Sequence, residues 1–150
     1  MEALFRFPEA RTEEMFTLFF EPHEKVLLVR YSGVLTSEDI STLDVVTVGI
    51  VAREGYVRSI FDCTDVKTVA IPSSSLAERA RKLRMNPGKD RVTVAPQQEI
   101  YELFRDYAQV QLDFGNGELM VVRTLGAALD LLGLSNPDFR PIAVHPPSTA

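Results

Sequence analysis

Three strand-then-helix units in succession limit this chain's fold more than any other feature. Val57 to Cys63 is a continuous buried-type strand, and the segment beyond it opens a helix at Ser74 or Ser75 with Leu76, Ala80 and Leu83 as its apolar stripe. Arg91 to Ala95 is a strand followed by Ile100, Leu103, Phe104, Tyr107 and Ala108. Those five recur at i, i+3, i+4, i+7 and i+8, an amphipathic helix pattern. Leu119 to Val122 leads to Thr124 and the stripe Leu125, Ala128, Leu129 and Leu132, with Gly133 as its stop. Strands joined through helices cross over the sheet and run parallel.

The opening of the chain adds a different unit. Met15 to Phe20 and Lys25 to Tyr31 are strands separated by the turn Glu21-Pro22-His23-Glu24, which predicts an antiparallel hairpin closed by Gly33. Thr36, with Asp39 three residues on, carries the capping-box spacing and opens a helix that runs to about Ala52 and stops before Gly55. Val45, Val46, Val48, Ile50 and Val51 give this helix apolar residues on more than one face. Such a helix buries more than one face, either deep in the core or at a subunit interface.

The expected fold class is α/β: a mostly parallel, mixed five-stranded sheet in the order ββαβαβαβα, its antiparallel edge supplied by the hairpin. Residues 15–134 form the domain. Residues 1–14 are a lead-in with an apolar cluster at Leu4, Phe5 and Phe7. Residues 135–150 are a Pro-rich tail whose Phe139 and Ile142 rest against the domain while its last residues are mobile.

Bulk properties narrow the function classes. A chain of 150 residues, 45% hydrophobic, builds a core without metal or disulfide staples, and the single cysteine, Cys63, has no intrachain partner. A net charge of −5 disfavours broad nucleic-acid binding, and no recognition motif accompanies the basic residues. No apolar run approaches the roughly 20 residues needed to span a bilayer, so membrane insertion is not expected. Glu2, Glu9, Glu13 and Glu14 do not fit a signal peptide, and a cytoplasmic setting is expected.

Several local patterns resemble the STAS-like family, the sulfate-transporter and anti-sigma-factor-antagonist domains with the fold of stage II sporulation protein AA. The resemblance spans roughly residues 15–134. It rests on Tyr31-Ser32-Gly33 with Thr36 soon after, on Ile60-Phe61-Asp62-Cys63-Thr64-Asp65-Val66, on Arg91-Val92-Thr93-Val94-Ala95, and on Leu125 to Leu132. Phosphorylatable members of that family carry an Asp-Ser-Ser-Gly-Leu stretch at the start of a helix, which Pro72-Ser73-Ser74-Ser75-Leu76 resembles. Pro72 stands for the aspartate and Ser75 for the glycine. The match implies Ser74 as the phosphorylatable position, with Ser73 and Ser75 beside it.

The basic segment is the second candidate surface. Arg79, Arg81, Lys82, Arg84, Lys89 and Arg91 face only Glu78 and Asp90, a local +4 in a chain of −5. Arg79, Lys82, Arg84 and Lys89 are the expected partner-binding residues, and an acidic protein partner or anionic head group suits them. A solvated helix face with internal pairs is the plainer alternative.

No catalytic constellation is present. The only histidines are His23, in a turn, and His145, in the tail, so Cys63 lacks a neighbouring base. Asp62 and Asp65 suit loop capping better than a cation, no Cys/His spacing suits zinc, and Gly115-Asn116-Gly117 lacks the rest of any phosphate-binding fingerprint. No cofactor is expected. The first functional expectation is a non-enzymatic regulatory module that docks a protein partner, possible homodimer included. The alternative is a domain that holds a small apolar ligand between the sheet and helix 36–52.

Overall fold

The computed structural model describes residues 16–82 and 89–142. Along the chain, β1 (Phe16–Glu21) and β2 (Val26–Thr36) precede α1 (Ser37–Glu54), β3 (Arg58–Ala70) and α2 (Ser73–Arg81). Then come β4 (Arg91–Val94), α3 (Gln98–Asp113), β5 (Leu119–Val122), α4 (Leu125–Leu131) and β6 (Arg140–Ile142). The sheet order is β5-β4-β3-β2-β1-β6. The strands from β2 to β5 are mutually parallel, while β1 is antiparallel to both of its neighbours. The α/β architecture is therefore as expected.

The strand count differs, six against an expected five. The extra strand is β6, drawn from the segment expected as a tail, and it displaces the hairpin from the edge. The register Leu18↔Ile142, Phe19↔Pro141 and Phe20↔Arg140 holds it. Proline cannot donate to a ladder and so survives at a sheet edge, where β6 places Pro141. The buried Glu21 carboxylate fixes the approach by accepting from the Asp138 amide at 2.6 Å, and also from the amides of His23 at 2.6 Å and Glu24 at 2.9 Å.

Gly33 does not end its strand. β2 and β3 pair all the way to Thr36↔Ala70, with register shifts between Arg30 and Ser32 and between Gly33 and Val34. Gly33 sits at φ 86° there, a conformation a bulge demands and glycine supplies. β4 covers β3 only as far as Asp62. Beyond that point the Gln97 side-chain amide bridges the carbonyls of Cys63, Thr64 and Val66 at 2.8–3.3 Å.

Alternation along the strands separates two cores. Leu27, Val29 and Tyr31 of β2 face the side covered by α1 and α3, with Ile50, Ile100 and Phe104 buried there. Val26 and Leu28 face the opposite side, where Ala128 of α4 packs with Ile60, Val92, Val94, Leu132 and Leu134. Ile60 is wholly buried, and truncating such a side chain to alanine costs about 2–5 kcal/mol.

Local signals set the helix ends. Thr36 Oγ1 accepts from the Asp39 amide at 3.3 Å, and the Asp39 carboxylate accepts from the Thr36 amide at 2.9 Å, a complete capping box. Gly133, at φ 68°, closes α4: its amide donates to the Asp130 carbonyl, and that of Leu134 to Leu129, the paired bonds of a Schellman ending. α2 departs from expectation. Pro72 takes the N-cap position without a side-chain hydrogen bond, so Ser74 and Ser75 lie inside the first turn rather than capping it. The Pro72 carbonyl already accepts from the amides of Ser75 and Leu76, which starts the helix two or three residues earlier. α1 departs too: only Ile50 is buried, while Val45 and Val48 are 59% and 53% exposed. The helix is not a deep core element.

Candidate functional site

Parallel register lines up side chains across the sheet, because paired residues point to the same face. One row on the α1–α3 face reads Leu27, Ser59, Arg91, Leu119, and the next reads Val29, Phe61, Thr93, Val121. A sheet face roofed by helices normally carries aliphatic residues at such positions. Here the first row has a small hydroxyl and a guanidinium at its centre. The helices cannot close onto it, and a cavity remains between the sheet and α1, α2 and α3.

That cavity has two adjoining lobes of about 310 Å³ and about 350 Å³, which share Leu43, Ser59, Phe61, Arg79, Arg91 and Tyr107. One lobe extends under Leu35, Ile40, Ile71 and Phe104, and the other toward Asp44, Lys82 and Gln111. Its walls are mostly apolar. Phe61 and Phe104 meet edge to face at 6.3 Å, as do Phe104 and Tyr107, a rigid aromatic wall along one side.

The polar end is organised by a clamp across two helices. Arg79 of α2 donates two hydrogen bonds of 2.6 Å to the two carboxylate oxygens of Asp44 on α1. Both side chains are only partly exposed, which strengthens a bidentate pair over an open surface one. Burial raises the Tyr107 hydroxyl above its ordinary pKa, with Arg79 and Arg91 opposing, so it is a neutral phenol near pH 7. Gln111 donates to that hydroxyl at 3.4 Å and is 4% exposed. The Asn116 side-chain amide donates to the Ala80 carbonyl at 2.8 Å, tying the α3–β5 loop to the end of α2. Arg91 reaches toward the Asn116 carbonyl at 3.5 Å.

The residues singled out from sequence divide around this cavity. Ser73 and Ser74 are exposed at the start of α2, whereas Ser75 turns into the cavity lining. Arg79 is engaged within the chain by Asp44, the internal pairing of the plainer alternative. Lys82 is exposed at the cavity rim, Lys89 is exposed outside it, and Arg84 lies outside the described residues. The cavity residues Ser59, Tyr107 and Gln111 were not singled out as a site, and Arg91 stood in the basic segment but not among its expected partner-binding residues. One signal was available for Gln111: it continues the α3 stripe of Ile100, Phe104 and Tyr107 as a polar residue at a core position.

Of the two aspartates, Asp62 serves the strands. Asp62, 2% exposed, accepts from the Thr64 amide at 3.0 Å and from the Thr64 hydroxyl, and pairs with Arg30 at 3.2 Å. Among the described residues no cluster of histidine, cysteine or acidic side chains suits a metal ion. No helix among them is long and apolar enough to cross a membrane. Cys63 is fully buried, and burial, then the Asp62 charge, pushes its thiol well above the ordinary range.

The architecture is that of the SpoIIAA-like α/β domains. A solved structure with this fold comes from Shewanella loihica PV-4, an uncharacterised protein of the DUF3478 family. The two share 15% sequence identity at a TM-score of 0.51, over 78% of this chain and 91% of that one. At that identity the likeness establishes the fold alone. No family model matches the chain, and no curated protein does.

Proposed function

We propose that this protein is a non-enzymatic binding domain that holds a small, largely apolar ligand between its sheet and α1–α3. The observation that supports this reading is the cavity over the Leu27-Ser59-Arg91-Leu119 row. Its lobes lie at the compact end of the roughly 300–1,000 Å³ range of ligand sites, and they combine apolar walls with a few convergent polar groups. The open space follows from Ser59, whose small side chain occupies a position that elsewhere on this face is taken by Leu27 or Phe61. Native mass spectrometry of gently purified protein tests it. Wild type carries a bound small molecule, and Ser59→Leu, which fills the floor, loses it. Equal ligand loading of both proteins, or none on wild type, overturns the reading.

A second reading, docking of an acidic protein partner switched by serine phosphorylation, is favoured by the exposure of Ser73 and Ser74 at the start of α2. A phosphate there meets the positive end of the helix dipole and leaves the helix intact. Under this reading Ser74→Asp changes affinity for the partner while thermal stability holds. Unchanged affinity defeats it. Exposed Val45 and Val48 on α1 suit a homodimer within the same reading, for which light scattering gives twice the 16.8 kDa chain mass and Val45→Glu restores the monomer.

A further inference from the structure

A buried acceptor in the cavity lining narrows the ligand class, and the narrowing rests on the ligand-binding reading above. Gln111 of α3 lines the second lobe and is 4% exposed. Its Nε2 donates to the Tyr107 hydroxyl at 3.4 Å, while its buried Oε1 accepts no hydrogen bond from any described residue. An acceptor buried in this way loses its hydration and gains nothing in exchange until a donor reaches it. Thr47 of α1 lines the same lobe. Its hydroxyl proton goes to the Leu43 carbonyl at 2.8 Å, so what its oxygen has left to offer is a lone pair. Both groups call for a donor. The formal charges nearby are answered within the chain. Asp44 and Arg79 hold each other through two hydrogen bonds of 2.6 Å, and Arg91 is engaged too, reaching the Asn116 carbonyl at 3.5 Å. Lys82 is exposed to solvent at the rim.

We infer that the second lobe binds a neutral, hydroxyl-bearing apolar molecule, an alcohol or a phenol, whose O–H donates to Gln111 Oε1. Its body lies along Leu27, Val29, Leu43 and Phe61. An ionised carboxylate has no proton to give to that oxygen near pH 7. An ammonium would meet Arg79, Lys82 and Arg91 with only Asp44 as a described counter-charge in the lobe, and Asp44 is already paired. A hydroxyl group also accepts, which suits the Tyr107 O–H next to Gln111. The space of about 350 Å³ fits a single ring or a short chain rather than a two-chain lipid.

The test compares p-cresol with p-xylene, which share a ring and differ only by O–H against CH3. Each is titrated into the full-length protein and followed by amide NMR shifts. In wild type p-cresol binds at least about fivefold more tightly, because p-xylene displaces water from the lobe and leaves the Gln111 acceptor unpaired. Its largest shifts fall on Thr47, Tyr107 and Gln111. Gln111→Met keeps the side-chain volume, removes the acceptor and brings the affinity ratio to one or below. Both probes bound in the cavity with equal affinity, or p-xylene the tighter, overturns the hydroxyl inference and leaves the ligand cavity standing. Binding of neither probe at the cavity amides overturns both. A p-cresol preference that survives Gln111→Met, or that maps away from the second lobe, overturns the assignment of the head-group site. Should Gln111→Met fail to fold, the wild-type ratio and its shift map still decide.

Discussion

Glu21 shows how one side chain can tie a chain terminus to a sheet. Its carboxylate is buried and accepts three amide hydrogen bonds, one of them from Asp138 in the segment that leads into β6. The amides of Glu24 and then Asp138 hold its pKa below the ordinary value, with burial opposing them. A folded-state pKa lower than the unfolded one gives stability that is complete above the unfolded value, about 4.3. That stability is lost as pH falls through the depressed folded value. Thermal melts should therefore show a midpoint that declines on acidification through this window, and Glu21→Gln should flatten the decline. Matching slopes would mean that the carboxylate adds nothing. The Arg79–Asp44 pair invites a double-mutant cycle. Its bidentate geometry and partial exposure place the coupling near the upper end for surface pairs, about 1 kcal/mol. A coupling indistinguishable from zero would remove the clamp as a structural element. Cys63, buried with a raised thiol pKa, should resist a thiol-specific reagent in native buffer and react fully in denaturant.

Helix α1 and strand β6 are opposite lessons at the scale of elements. The start of α1 was legible from Thr36 and Asp39 because a capping box is a local chemical fit between four atoms of one short segment. Thr36→Ala should lower unfolding free energy by about 1 kcal/mol in chemical denaturation. A loss within error would mean that tertiary packing alone sets the helix start. β6 left no comparable local signal. It is three residues long, contains Pro141, and exists because β1 presents an open edge to it. Truncation after Leu134 should speed amide exchange along β1 while β4 keeps its protection. The early ends expected for β2 and β3 share this origin, since each strand continues only because the other runs beside it. The missing serine cap of α2 follows from the Pro72 carbonyl, which already serves the first turn.

For the molecule as a whole, pattern and placement divide the information. The repeated strand-then-helix order, the amphipathic stripe of α3, the Thr36 cap and the Gly133 stop specified a mostly parallel α/β domain, because each depends on residues close together in the chain. The cavity depends on none of them alone. Ser59, Arg91, Tyr107 and Gln111 lie on β3, β4 and α3 and become one site only when the parallel register sets Ser59 beside Arg91 and α3 lays its stripe over them. The basic segment read from sequence likewise changed meaning on folding: Arg79 became half of a clamp through Asp44, a residue on a different helix. Periodicity and capping are short-range and survive in the sequence as spacing. Register across a sheet, and the space left where a small polar residue replaces a large apolar one, are long-range consequences of packing that only the tertiary structure decided.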